Sequence, residues 1–376
     1  LWTLIFYLIV KYINTSSDTY LILIGITTGT ALLNKYLIGI LLIIILVILP
    51  FTQYRKIFRN KKFWYGLLAG IAVFMPNVIW QIANGLPVIY HFAELERTQL
   101  VNVDRSAFLI EQVVMPGVTS ILTIAGLIYL FINKNAWKFR FLGLVIISVI
   151  ITFMLLHGKS YYTQGIFPFL IAAGAVSWEN MLRKVWSRVF LFLLMIVLTL
   201  PILPIGIPVF KTEKLVSYFR NIRTNYGMDF VCRFEDNSIH SLPQDYADML
   251  GWEELAEIAD KAWQMIPDRS ASFIYCENYG QAGAITIIGK KYGLPEAISF
   301  NESFRYWIPE KFDPDITSMV YINDEMGDDV RQIFRKITKI GSITNPDARE
   351  LGTTVWLCED PVDSFNKFWA LRIKDI

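Results

Sequence analysis

Charge is scarce in this sequence: Asp, Glu, Lys and Arg make up 18% of 376 residues, while 54% are hydrophobic and mean hydropathy is +0.42. A soluble domain usually carries about 25% charged residues, so an ordinary soluble protein is excluded as a description of the whole chain. Cysteine is rarer still. The three cysteines, Cys232, Cys276 and Cys358, fall in the second half, without a CxxC pair or a Cys/His cluster of metal-ligand spacing. That excludes a disulfide framework and a structural zinc module. Cys276 and Cys358 each sit in a strand-like run, which leaves two readings: a disulfide in an oxidising compartment, or two buried thiols.

What is present is unevenly distributed. Residues 1–207 hold 16 Lys and Arg against 6 Asp and Glu, a net charge of +10, and residues 208–376 carry −8. The acidic second half offers no electrostatic footprint for DNA or RNA. The basic first half contains nearly all the long uncharged runs, at 1–10, 19–34, 36–51, 63–83, 118–132, 139–156, 165–178 and 188–207. Crossing about 30 Å of hydrocarbon takes roughly 20 apolar residues, so the shorter runs must extend into flanking aromatic and polar positions. The fold class expected is a polytopic α-helical membrane protein of about eight spans in residues 1–207, followed by a small α/β extracytoplasmic domain in 208–376.

Three connections are basic, 53–62, 133–140 and 179–188, and such charge favours the cytoplasmic side. Alternation then sends three other segments to the outer face: Asn34 to Tyr36, the long loop 84–117, and the stretch HGKSYYTQ at 157–164. That stretch separates two apolar runs, yet nearly every residue in it can hydrogen-bond. Loop 84–117 mixes aliphatic and aromatic residues with charges, as interfacial amphipathic helices do. Lys35 precedes a long apolar run and reads either as a snorkelling lysine or as a ligand contact. Tyr161 and Tyr162 fit an interfacial belt or a site equally well, and Lys159, held in a tight turn, favours ligand contact. His91 and Glu94 are three apart and share a face if their segment is helical, as an acid/base or metal pair or as a surface hydrogen bond.

Beyond residue 208 the pattern alternates: helix 252–266, strand 272–279, helix 281–293, strand 317–324, helix 328–337 and strand 353–360. Such alternation predicts a layered α/β domain. Within it, NYGQAGAITIIG lacks both the GxGxxG fingerprint and a P-loop lysine, so close strand-to-helix packing, or presentation of Asn278, Tyr279 and Gln281, is preferred to nucleotide binding.

The succession LLNKYLIG (32–39), PNVIWQIANGLPVIYHFAEL (76–95), HGKSYYTQGIFPFLIAAGAVSWE (157–179), ENYGQAGAITIIGKKYGLP (277–295) and SFRYWIP (303–309) resembles bacterial members of glycosyltransferase family 39. These are relatives of protein O-mannosyltransferases and of the lipid A aminoarabinose transferase, within the C-type superfamily. The resemblance implies an enzyme of the bacterial cytoplasmic membrane that moves a sugar from a polyprenyl-phosphate donor to a glycan, lipid or protein acceptor on the outer face. It implies that Lys35 contacts the donor phosphate, and that Tyr36, His91, Lys159, Tyr161, Tyr162 and Gln164 line the donor or acceptor site. The family's general base is an aspartate of an early outer loop, which is expected upstream of Leu1, with Glu94 as the fallback within this sequence. No cofactor is assigned, although Mg or Mn serves at the phosphate in some relatives. The alternative reading is a transporter or lipid flippase with an extracytoplasmic accessory domain.

Overall fold

The computed structural model describes residues 1–374 and is mostly helical. It divides into two compact units, Leu1–Ile207 and Pro208–Ile376. The first unit contains α1 (Trp2–Thr15), α2 (Thr19–Asn34), α3 (Ile38–Ile48), α4 (Lys61–Ala83), α5 (Pro87–Thr98), α6 (Arg105–Val114), α7 (Ser120–Ile132), α8 (Arg140–Leu155), α9 (Phe167–Met181), α10 (Val185–Thr199) and the single turn α11 (Leu203–Gly206). Each apolar run of the first unit has become a helix. Among the described residues, three stretches are long and apolar enough to cross a membrane: Lys61–Ala83, Lys134–Leu155 and Val185–Gly206. A fourth is reached if α6 and the segment Gly117–Ile132, bent by 91° at their junction, count as one broken span. The remaining apolar helices are shorter: α3 has 11 residues and is prolonged by a 3-10 turn at Leu49–Phe51.

Burial separates these helices by role. The α8 helix is central and buries Phe141, Leu142, Val145, Ile146, Val149 and Phe153 against Ile5 and Phe6 of α1 and Ile38 and Leu41 of α3. By contrast α4 buries only Gly66 and Gly70, and α10 buries none of its side chains. Helices apolar all round yet left uncovered belong in lipid, where hydrocarbon takes the place of a protein core.

The two buried glycines of α4 explain its attachment. Gly25 and Gly29 on α2 are four apart, as are Gly66 and Gly70 on α4, and the two pairs meet in matching order, so the helices run parallel. A Cβ on Gly25 would enter the Gly66 carbonyl, and one on Gly29 would enter that of Gly70. Only hydrogen at these positions lets the backbones touch, which is the small-residue logic of membrane helix packing. Gly126 of α7 and Gly174 of α9 form a second such contact.

Polar ties gather at one end of this unit. Asn60 donates to Asp18 at 2.6 Å, Lys138 to Asn14 at 2.6 Å, and Tyr54 to the Lys138 carbonyl at 2.7 Å. The basic connections 53–62 and 133–140 therefore share an end with the turn between α1 and α2.

The second unit opens with α12 (Thr212–Tyr226), closed by Gly227 in the left-handed region, and continues through α13 (Gln244–Ala247) and α14 (Trp252–Gln264). Its sheet has the order β1-β2-β4-β3, formed by β1 (Ser272–Cys276), β2 (Ser318–Asn323), β3 (Phe334–Ser342) and β4 (Thr354–Pro361). The β1/β2 pair is parallel and joined through α15 (Tyr279–Ile287); the other pairs are antiparallel. The α14 and α15 helices pack one face around Ile274, Val320, Ile322 and Val355. On the other face, α16 (Asp328–Ile333) and α17 (Phe365–Lys374) cover Phe273, Tyr275, Met319 and Tyr321.

One expectation changes here, and the buried-thiol reading of Cys276 and Cys358 holds. The helix expected over 328–337 stops at Ile333, and Phe334 starts the edge strand β3. Pairing with β4 outweighs local propensity there, and exposed Arg335, Lys336 and Lys339 keep the edge from recruiting further strands. Cys276 and Cys358 lie in the cores on opposite faces of the sheet, so they cannot bond; all three cysteines are free and buried. Burial pushes the Cys232 thiol up to about 11 and the Cys358 thiol up to about 12, which makes both unreactive. The glycine-bearing turn after β1 is closed by protein: Asn278 caps α15 at the Gln281 N–H, 2.8 Å, and Glu350 accepts from the Gln281 side chain at 3.1 Å. A carboxylate at that helix start disfavours a nucleotide phosphate.

Replacing Gly25 with Val drives its side chain into the Gly66 backbone, with an expected cost of about 1–3 kcal/mol. Thermal denaturation in detergent should show a clear drop in midpoint for Gly25→Val. Gly39→Ala, which meets only Leu32 Cδ2 at 3.8 Å, should stay near the parent.

Candidate functional site

The parallel packing of α2 on α4 brings the end of one beside the end of the other. After Asn34 the chain leaves the helix with Lys35 extended, at φ −158° and ψ 123°, its N–H still bonded to the Ala31 carbonyl at 2.9 Å. Tyr36 then turns onto α4, donating to Asn77 Oδ1 at 2.5 Å and accepting from Gln81 Nε2 at 3.0 Å. Gln81 in turn accepts from the Val88 N–H at 3.1 Å, which fixes the start of α5. Between them, Leu86 is held at φ 59° directly before Pro87. A bulky residue in the left-handed region costs about 1–3 kcal/mol and persists only where its surroundings enforce it.

The stretch 157–164 supplies the opposite wall. His157 ends α8 in the left-handed region at φ 51°, and Gly158 closes the turn with an N–H to the Phe153 carbonyl at 2.8 Å. A Cβ on Gly158 would lie 2.8 Å from the Phe153 ring, so the tight turn requires glycine. The imidazole bridges two segments: Nδ1 lies 3.1 Å from the Val103 carbonyl and Nε2 lies 3.1 Å from Arg105 Nη2. Since the carbonyl only accepts and the guanidinium only donates, the tautomer with its proton on Nδ1 satisfies both contacts. Below it, Thr163 is fully buried and donates to the Gln112 side chain and to the Ser160 carbonyl, while Gln112 donates to Ser160 at 3.3 Å. This network clamps the turn to α6.

Lys35 projects over the rings of both tyrosines, with Nζ 5.1 Å from the Tyr161 centroid and 5.0 Å from that of Tyr162. The two rings meet edge to face at 4.8 Å. Lys159 Nζ lies 5.9 Å from Tyr161 and donates to Gln99 Oε1 at 2.6 Å. Partial burial first, and the Lys159 ammonium second, hold the Lys35 ammonium below the ordinary lysine value. Two like charges held beside aromatic faces make a place prepared for an anion. Next to it, α1 to α4 enclose an apolar cavity of about 460 Å³, running from Leu32, Phe74 and Val78 to Tyr12, Tyr54 and Ile57.

The residues singled out from sequence therefore separate. Lys35, Lys159, Tyr161 and Tyr162 come together, with Tyr36 adjacent in the chain and anchored to α4. Gln164 is exposed in the following 3-10 turn. His91 and Glu94 lie on the exposed surface of α5, where Glu94 forms an ion pair with Arg97 at 2.8 Å. No group of three or more metal-ligating side chains occurs among the described residues. Residues that sequence reasoning missed are Asn77, Gln81, Gln99, Arg105, Gln112 and Thr163. Asn77 and Gln81, polar and four apart in an apolar helix, carried a signal; the others have partners remote in sequence.

The comparisons with known proteins bear on this geometry. Residues 1–80 match the dolichyl-phosphate-mannose-protein mannosyltransferase family. The match bears out the resemblance to glycosyltransferase family 39 and points to a membrane glycosyltransferase. No curated protein and no solved structure matches the chain. The matched segment contains α1 to α3, most of α4, Lys35, Tyr36 and Asn77, and stops before loop 84–117 and the 157–164 stretch.

Thr163→Val removes the hydroxyl that satisfies buried Gln112, with an expected cost of about 1–3 kcal/mol. In proteolysis of the detergent-solubilised protein, cleavage within 157–164 should accelerate for Thr163→Val and stay unchanged for Gln164→Ala.

Proposed function

We propose that this chain is part of an integral-membrane glycosyltransferase that moves a sugar from a polyprenyl-phosphate donor to an acceptor at the outer face of the bacterial cytoplasmic membrane. The observation that carries the reading is the placement of Lys35 against Tyr161 and Tyr162 with Lys159 alongside. Support for the orientation comes from basic connections tied together at one end of the unit. On that reading residues 208–376 are extracytoplasmic.

In this mechanism the acceptor hydroxyl attacks the anomeric carbon with inversion. The bond to the lipid phosphate breaks, and the departing oxygen keeps the electron pair. The negative charge growing on the phosphate is met by Lys35 and Lys159, whose hydrogen bonds strengthen as the charge develops in a region of low dielectric. The Tyr161 and Tyr162 rings hold the Lys35 ammonium in place and offer hydroxyls to the sugar. Tyr36, locked by Asn77 and Gln81, fixes the backbone from which Lys35 projects. The apolar cavity between α1 and α4 takes the first isoprenyl units of the donor. A carboxylate must accept the proton of the attacking hydroxyl. Glu94, the fallback for that step, is ion-paired with Arg97 on the surface of α5.

The test is transfer from a polyprenyl-phosphate sugar by the intact protein in proteoliposomes. Lys35→Ala should lower the rate roughly 10²- to 10³-fold, as loss of one donor to a developing oxyanion does. An unchanged rate would refute the assignment. The pH response has a defined sign. A lysine binds phosphate while protonated, so donor affinity is retained below the Lys35 pKa and lost as pH rises through it. Lys159 lowers that pKa. In Lys159→Met the affinity should be weaker at neutral pH, yet its alkaline limb should move to higher pH, measured by donor titration across the range.

A further inference from the structure

The second unit holds a cavity that the transferase reading leaves without a role. It has a volume of about 300 Å³ and opens on the sheet face covered by α16 and α17. Its floor is apolar, built from Met319, Val330, Phe365 and Trp369, and one wall is aromatic, where Phe300 packs against Tyr275 at 5.6 Å and Trp369 at 5.1 Å. The rest of the lining mixes apolar Ile333, Phe368 and Leu371 with polar Glu277, Asp329, Gln332 and Arg372.

These polar groups are arranged rather than scattered. Glu277 accepts from the Tyr321 hydroxyl at 3.0 Å and lies 3.5 Å from that of Tyr275. The two tyrosine rings are parallel neighbours on β1 and β2, with centroids 5.9 Å apart and planes within 3°. Burial, and then Glu277, push both phenols above their ordinary value, so they remain neutral donors. Arg372 stacks over Phe300 at 5.5 Å from the ring centroid.

The combination narrows the ligand. A hydrocarbon ligand would strip water from two carboxylates, an amide and a guanidinium without replacing their hydrogen bonds. An organic cation would meet the Arg372 guanidinium, and an anion would meet Glu277 and Asp329. A pyranose is neutral, has CH faces that lie on an aromatic ring, and carries hydroxyls that donate to carboxylates and accept from a guanidinium or amide. We propose that this cavity in the α/β unit is a saccharide-binding site, with Phe300 in its aromatic wall, Glu277 and Asp329 as hydroxyl acceptors, and Gln332 and Arg372 as donors. The site lies wholly within residues 208–376 and does not depend on the transferase reading.

The experiment is saturation-transfer difference NMR on the full chain in nanodiscs, with methyl α-mannoside, methyl β-glucoside and N-acetylglucosamine as separate probes. Tetramethylammonium and glycine serve as charged probes, and empty nanodiscs as blank. At least one sugar should receive saturation, and its apparent affinity should fall roughly tenfold in Glu277→Gln, the loss of about one charge-assisted hydrogen bond. Arg372→Ala, at an exposed helical position, should weaken the same sugar, while Lys35→Ala should leave its affinity unchanged. The proposal is overturned if no sugar binds to protein with an intact near-ultraviolet spectrum. It also fails if binding is lost in Lys35→Ala but kept in Glu277→Gln, or if only tetramethylammonium or glycine receives saturation.

Discussion

Backbone contact between α2 and α4 is the constraint on which the first unit depends. Four glycines bring carbonyl and Cα atoms of the two helices together, and any larger residue would force them apart. Because the helices are parallel, the contact also delivers the end of α2 to the end of α4, where Tyr36 finds Asn77 and Gln81. Lys35 inherits its position from that anchor. In a bilayer no hydrophobic force drives helices together, so close packing and interhelical hydrogen bonds must do so. Here both act in one pair: glycines along its length and a half-buried tyrosine hydroxyl at its end.

At that end aromatic and amide contacts bring Lys35 and Lys159 together. Lys35 rests on two aromatic faces, and Lys159 is steered by the neutral Gln99 amide. His157, between the Val103 carbonyl and Arg105, joins the turn to loop 84–117 through directed hydrogen bonds. Two ammonium groups at one place are what the proposed lipid-phosphate donor calls for. The 80-residue match to a mannosyltransferase family covers the half of this arrangement that lies on α1 to α4.

In the second unit the sheet separates two different interiors. One face is packed with aliphatic residues under α14 and α15, and the other is aromatic under α16 and α17. The cavity that holds Glu277 and Arg372 lies on the aromatic side. The buried thiols of Cys276 and Cys358, one in each interior, mark the same division.

Much of this was legible in the residues themselves. Eight apolar runs predicted the apolar helices, because local composition alone decides whether a segment can leave water. The alternation beyond residue 208 predicted β1, β2, β4 and α14 to within a few residues. Lys35, Lys159, Tyr161 and Tyr162 stood out as polar groups at the ends of apolar runs. Other features were beyond its reach. Residues 334–337 read as the tail of a helix until β4 offered them a pairing partner. Cys276 and Cys358 looked like equals until the sheet assigned them to opposite faces. The meeting of Lys35 with Tyr161 and Tyr162, the anchoring of Tyr36, and the aromatic cavity around Glu277 were decided by the tertiary structure alone. Periodicity records which face of an element avoids water, and it carries no record of which distant face will cover it.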